Sequence, residues 1–119
     1  MKQDDPIIRL HLWLERDGGV FFGHGRLQLL EKVEQCGSLK KAAEELGMSY
    51  RGAWGKIKRS EDILGRKLIE KISNKEGYRL TSFGQEFVAM YLKWFSEVEN
   101  FAAAKASEIF PWNCSSFNE

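Results

Sequence analysis

Ser49, Tyr50, Arg51, Trp54, Gly55, Lys56 and Lys58 fall within one short stretch, and their side chains are of the types that meet nucleic acid. An Arg fork pairs bidentately with the major-groove edge of guanine. Lysines neutralise phosphates. Ser and Tyr hydroxyls at a helix start reach phosphate or base, and a glycine lets the backbone come close. Their spacing sorts them on a helix. With Ala53 as the buried reference and about 100° per residue, Ile57 and Leu64 lie within about 40° of it. Arg51, Gly55 and Lys58 fall at about 160°, 200° and 140°, facing outward. Tyr50 and Trp54, at about 60° and 100°, lie on the margin. Trp54 reads equally well as an edge-of-core residue. Arg51 is the main candidate for a base edge, and Lys56 and Lys58 for phosphates. Ser38 and Lys40 upstream and Lys75 downstream complete the candidate DNA-binding set.

The elements that must hold these residues are legible around them. Leu39, Ala42, Ala43 and Leu46 follow the spacing of one buried helix face. Ser38 caps the start of that helix and Ser49 the start of the next, each offering an oxygen to an unpaired first-turn N–H. Gly47 suits the point where the first helix leaves right-handed geometry. Two short helices with a tight break predict a helix-turn-helix, whose second helix lies in the DNA major groove. KLIEKI, a polar tip from Ser73 to Gly77, and YRLT then read as a β-hairpin, the wing of a winged helix.

Charge follows the same division. The chain carries 18 Lys+Arg against 17 Asp+Glu, which by itself does not suggest nucleic acid. Residues 38–81, however, hold 11 basic and 6 acidic residues, whereas 1–37 are net −1 and 82–119 net −3. A local positive field is what phosphate neutralisation needs. The competing reading is a solvated helix surface.

Upstream, Ile8, Leu10, Leu12 and Leu14 alternate with Arg9, His11, Trp13 and Glu15, which predicts a strand with one buried face. Asp17-Gly18-Gly19 supplies the turn and Val20-Phe21-Phe22 the return strand. Trp13 points away from the leucines, towards a partner or under another element of the same chain. A helix carrying Leu27, Leu30 and Val33 follows Gly23 and Gly25. His11 and His24 lack carboxylate or Cys neighbours at ligand spacing, so no metal site is expected. Cys36 and Cys114 are too few and too far apart for a disulfide framework and read as cytosolic free thiols. No phosphate-cradling loop, paired carboxylates or nucleophile constellation is present, so neither an enzyme nor a cofactor is expected. No apolar run of about 18 residues exists to span a membrane. The acidic start MKQDDPIIRL does not resemble a secretory signal, and a cytoplasmic location is expected.

The C-terminal stretch predicts a long helix from Thr81 or Ser82 to about Ile109, with Ser82 and Gln85 spaced as a capping box. About 28 residues would make it roughly 40 Å long. Phe87, Tyr91, Trp94, Val98 and Phe101 follow heptad spacing. So long an aromatic stripe exceeds what a domain of this size covers, and a second copy is expected on it. The alternative is that the first hairpin packs there. The expected dimer interface is Trp13, Phe87, Tyr91, Trp94, Val98 and Phe101.

The run GSLKKAAEELGMSYRGAWGKI resembles the N-terminal DNA-binding domain of ModE-type molybdate-responsive regulators. IKRSEDILGRKLIEK and RLTSFGQEF are similar to the wider LysR-type pattern. LWLERDGGVFFGHGRLQLLE resembles short ModE-like proteins rather than LysR regulators. The likeness covers roughly residues 8–95. It implies a bacterial transcription regulator that binds double-stranded DNA as a homodimer on a pseudo-palindromic operator. In full-length ModE regulators molybdate sits in separate C-terminal domains. This chain ends at 119, so those domains, and direct molybdate binding, are not expected. The tip Ser73–Gly77 departs from the longer glycine-rich ModE wing, which leaves minor-groove contact open. The resulting expectation is a mainly α fold with small β-hairpins. Residues 1–81 would form a winged helix-turn-helix with an N-terminal β-hairpin, 82–110 a long C-terminal dimerisation helix, and 111–119 a tail. The alternatives are a winged-helix adaptor that binds protein, and a DNA-binding subunit controlled by a separate effector chain.

Overall fold

A computed structural model describes residues 5–72 and 77–117. The elements run β1 (Ile7–Ile8), β2 (Leu14–Arg16), β3 (Gly19–Phe22), α1 (His24–Cys36), α2 (Leu39–Glu45), α3 (Tyr50–Leu64), β4 (Ile69–Lys71), β5 (Tyr78–Leu80), α4 (Ser82–Ile109) and β6 (Ser115–Ser116). Two compact units emerge. Residues 12–89 form one; 1–11 with 90–119 form the other.

In the 12–89 unit, β2 and β3 make an antiparallel hairpin with Arg16 opposite Gly19. Its two-residue loop, Asp17-Gly18, has φ of 54° and 77°. Positive φ at both positions is the turn whose twist matches that of the flanking strands. The core is Phe22, Leu27, Leu29, Leu30, Val33, Leu39, Ala42, Ala43, Ala53, Ile57, Leu68, Ile69 and Leu80, all buried. The small Ala42, Ala43 and Ala53 allow α2 and α3 to cross closely. The wing strands β4 and β5 pair antiparallel, Ile69 with Leu80 and Lys71 with Tyr78. This is a winged helix-turn-helix with an N-terminal hairpin, as the sequence predicts.

Some local expectations need correction. Residues 8–15 do not form one strand. β1 pairs in parallel with β6, Ile7 beside Ser115, while β2 begins only at Leu14. Exposure nevertheless alternates along the whole run, with Ile8, Leu10, Leu12 and Leu14 the more covered residues. Alternation reports which side faces the protein, not whether a ladder partner exists. On α3, Leu64 is half-buried, and Ser60 and Glu61 are buried in its place. The capping box at α4 does not form. Thr81 Oγ1 accepts from Gly84 N at 2.9 Å and donates to the Lys67 carbonyl at 2.7 Å. Gln85 instead reaches Glu34 at 3.4 Å.

In the other unit, α4 continues to Ile109, matching the predicted length. Ser107 Oγ accepts from Cys114 N at 3.0 Å and fastens the chain after the helix. The Arg9 guanidinium lies 3.7 Å from the Phe117 ring centroid, a cation–π contact.

Candidate nucleic-acid interface

The two caps form as the sequence predicts. Ser38 Oγ accepts from Lys41 N at 3.1 Å and Ser49 Oγ from Gly52 N at 3.0 Å. An accepting hydroxyl keeps its own O–H, so Ser38 and Ser49 retain a donor for a phosphate oxygen. Gly47, with φ 69°, turns the chain between the helices. The caps fix where α3 begins, and its helical pitch then fixes which side chains face outward. Arg51, Gly55, Lys56 and Lys58 are exposed on α3, as is Lys40 on α2. Tyr50 is 44% exposed at the first turn. Lys58 Nζ lies 3.3 Å from Asp62, in a pair with both side chains more than half exposed. Lys75 lies outside the described residues.

Trp54 is half-buried, and its ring meets Tyr78 of the wing at 5.9 Å in a T-shaped contact. That geometry favours the edge-of-core role, with the ring bridging α3 and β5.

Four residues that hold α3, Arg26, Arg59, Ser60 and Glu61, carry no marker in the sequence pattern. Arg59 donates from Nε to the Val20 carbonyl at 3.1 Å and from Nη2 to that of Arg16 at 2.8 Å. Ser60 Oγ donates to the Phe21 carbonyl. The first hairpin is thereby fastened to the C-terminal half of α3. On the wing side, Glu61 Oε2 accepts from Leu68 N at 2.8 Å and Ile69 N at 3.3 Å. Ser60 and Glu61 have no apolar signature, so periodicity alone passes over them. Arg26 Nε donates to the Lys56 carbonyl at 3.2 Å. Burial, and then the Arg59 charge, hold Arg26 below its ordinary pKa. Two guanidinium groups that repel each other across the flank of α3 add to the positive field there.

The free thiol at Cys36 is not set up as a nucleophile. It donates to Glu45 at 3.1 Å, and that hydrogen bond raises its pKa. Glu45 is correspondingly lowered, first by Cys36 and then by Lys32. Among the described residues no group of His, Cys, Asp and Glu could hold a metal. No helix formed by them is long and apolar enough to cross a membrane.

The residues expected at a dimer interface divide. Phe87 packs edge-to-face on Phe22 at 4.7 Å and lies 5.9 Å from Phe83. The first hairpin thus takes up this first member of the seam. Tyr91 is only 4% exposed, with Trp94 at 5.7 Å and Phe95 at 6.1 Å. Trp94 and Phe101 are 38% and 63% exposed, and with Met90, Lys93, Glu97 and Val98 they line an open groove along α4. Trp13 is 52% exposed, and its Nε1 donates to Glu15.

A profile of bacterial regulatory helix-turn-helix proteins of the lysR family matches residues 24–85. The chain belongs to that family. The match runs from α1 through α3 and the β4–β5 hairpin to the first turn of α4, and the family is one of regulators rather than enzymes. The molybdenum transport protein ModE of Azotobacter vinelandii is 32% identical over 81 residues, covering 66% of this chain and 30% of that protein. The transcriptional regulator ModE of Haemophilus influenzae is 29% identical over 94 residues, covering 76% and 35%. The chain therefore spans about a third of the length of these relatives, and it carries a ModE-like DNA-binding domain of the lysR type. Among solved structures, the CbnR DNA-binding domain in complex with DNA superimposes with a TM-score of 0.54 at 24% identity, covering 69% of this chain and 95% of that one. The BenM DNA-binding domain with benA site 1 DNA gives 0.52 at 23%, covering 68% and 92%. Both likenesses support the winged-helix fold.

Proposed function

We propose that this lysR-family chain is a transcription regulator that binds double-stranded DNA sequence-specifically, as a cytoplasmic homodimer on a pseudo-palindromic operator. The observation that carries the reading is α3. Its start is fixed by the Ser49 cap, its flanks are fastened by Arg59 and Glu61, and it holds Arg51, Gly55 and Lys58 outward. A recognition helix must be held this rigidly, because bidentate base contacts tolerate little displacement. Arg51 reads a base edge, and Lys40, Lys56 and Lys58 neutralise phosphates. The ModE relatives and the DNA complexes of similar fold support the same assignment.

The second copy sits on α4. Trp94, Val98 and Phe101 remain an apolar strip after Phe87 and Tyr91 are covered within the chain. The 119-residue polypeptide itself does not bind molybdate in this reading. Calorimetry would show no heat of stoichiometric binding, and micromolar affinity would overturn that statement.

Selection of genomic fragments by the purified protein tests the central assignment. A reproducible set enriched above random DNA, sharing an inverted repeat with half-sites about 10 base pairs apart, is the expected result. Failure to enrich any fragment at low salt would leave the protein-binding adaptor as the better reading.

A further inference from the structure

Most glycines of the 12–89 unit have a local reason. Gly18, Gly37, Gly47 and Gly65 take positive φ. At Gly19, Gly23, Gly77 and Gly84 an added Cβ would come within 3 Å of a neighbouring atom. At Gly52 it would meet Ser49 Oγ at 3.0 Å, against the helix cap. Gly55 has no such reason. It sits inside α3, its φ is not positive, and a Cβ there would find nothing within 4 Å among the described residues. A glycine in a helix interior loosens the helix relative to alanine. The fold would accept alanine and gain by it.

What a side chain at Gly55 would change lies outside the protein. Gly55 is exposed, with Arg51 one turn before it and Lys58 and Arg59 one turn after. We infer that Gly55 is a specificity-determining position, a bare strip on the recognition helix that sets how closely the α3 backbone approaches the base edges in the major groove. The inference rests on the DNA-binding function proposed above and deepens it. Without a Cβ, the helix axis settles nearer the groove floor, and Arg51 reaches a base edge in bonding geometry. With one, the helix stands off by a methyl group, and directional contacts to base edges are lost first. Phosphate contacts from long, flexible lysines tolerate that shift.

The test compares Gly55→Ala with Gly25→Ala in the 119-residue chain. Gly25 is also exposed, in the first turn of α1, with no atom of the described residues within 4 Å of an added Cβ. Gly55→Ala is expected to raise Tm by about 3–6 °C. It should lose at least about tenfold in affinity for the fragment that the wild type selects, and Gly55→Leu more, the loss falling on base-edge readout. Affinity for random DNA and the salt slope should stay at wild-type values, since those report phosphate contacts. Gly25→Ala should leave selected-fragment binding unchanged. Wild-type affinity and discrimination in Gly55→Ala would overturn the inference. So would an equal loss on selected and random DNA, or a fall in Tm showing that the fold itself needs the glycine. Absence of any fragment selected by the wild type would instead remove the DNA-binding function on which the inference rests.

Discussion

Glu61 is a buried carboxylate whose removal should cost the fold a measurable part of its stability. Its side chain is 3% exposed, and Oε2 accepts from two successive backbone donors, Leu68 N at 2.8 Å and Ile69 N at 3.3 Å. Alanine removes both acceptors. A buried N–H left without a partner costs about 1–3 kcal/mol, and the longer bond to Ile69 belongs at the low end. One offset exists, because among the described residues Oε1 has no hydrogen-bond partner and only Lys67 Nζ, at 3.7 Å, as a counter-charge. Removing that poorly compensated charge returns part of the loss. The two donors together would cost about 2–4 kcal/mol, and with that part returned Glu61→Ala should destabilise by about 1–3 kcal/mol. Glu61→Gln keeps an oxygen for Leu68 N but loses the charge-assisted strength of the bond, for a loss of about 1 kcal/mol. Urea unfolding followed by circular dichroism reads both values, with an unchanged slope showing that stability alone moved. A Glu61→Ala midpoint within about 0.5 kcal/mol of wild type would refute the reasoning, because the two donors would then have found other partners. A glutamine variant as damaged as the alanine one would show that charge, not acceptor geometry, is the essential property.

Arg51→Ala should cost about 1–3 kcal/mol at its cognate base and relax preference there, whereas Lys58→Ala should weaken all sequences alike and flatten the salt slope, both read by titration across operator variants. Trp94→Glu combined with Phe101→Glu should give a monomer by sedimentation that loses most operator affinity; wild-type monomer at tens of micromolar with DNA binding intact would refute the α4 dimer. Gly84→Ala should destabilise by about 1–3 kcal/mol in thermal unfolding, because its Cβ would collide with the Leu68 carbonyl against which α4 begins.

The helix-turn-helix was legible because its signals are local. Ser38, Gly47 and Ser49 sit where caps and a left-handed residue belong, and the apolar spacing of Leu39, Ala42, Ala43, Ala53 and Ile57 identifies the buried faces. The length of α4 was legible for the same reason, since no residue from Gln85 to Ile109 interrupts it. What stayed hidden depends on partners distant in sequence. Nothing near Glu61 announces that it will face the N–H groups of Leu68 and Ile69 across a turn. Nothing near Arg59 announces the hairpin carbonyls some forty residues upstream. The long first strand failed in the opposite direction. Its alternation was real, but the ladder partner of Ile7 and Ile8 is the segment at Ser115 and Ser116, which has no strand-like composition. Spacing alone makes the seam on α4 look uniform, because it cannot tell Phe87, which meets Phe22, from Phe101, which stays 63% exposed.

The positive field of residues 38–81 depends on what each basic side chain meets. Of the basic residues in 38–81, Lys58 pairs with Asp62, Lys67 with Glu61, and Arg79 with Glu70. A count of pairs suggests a weakened field, but the pairs differ in kind. The Lys58–Asp62 pair is exposed at both ends, and such pairs contribute about 0–1 kcal/mol, so a phosphate displaces Asp62 at little cost. Arg79 and Glu70 are likewise about half exposed. Arg59 is different again, because the groups it meets are carbonyls, which orient a guanidinium without neutralising it. The hairpin therefore fixes the recognition helix with a residue that keeps its positive charge beside the surface proposed to meet DNA. A carboxylate in the hairpin at that place would have held α3 as firmly and cancelled part of the field. Using backbone carbonyls lets one side chain both brace the helix and attract the phosphate backbone.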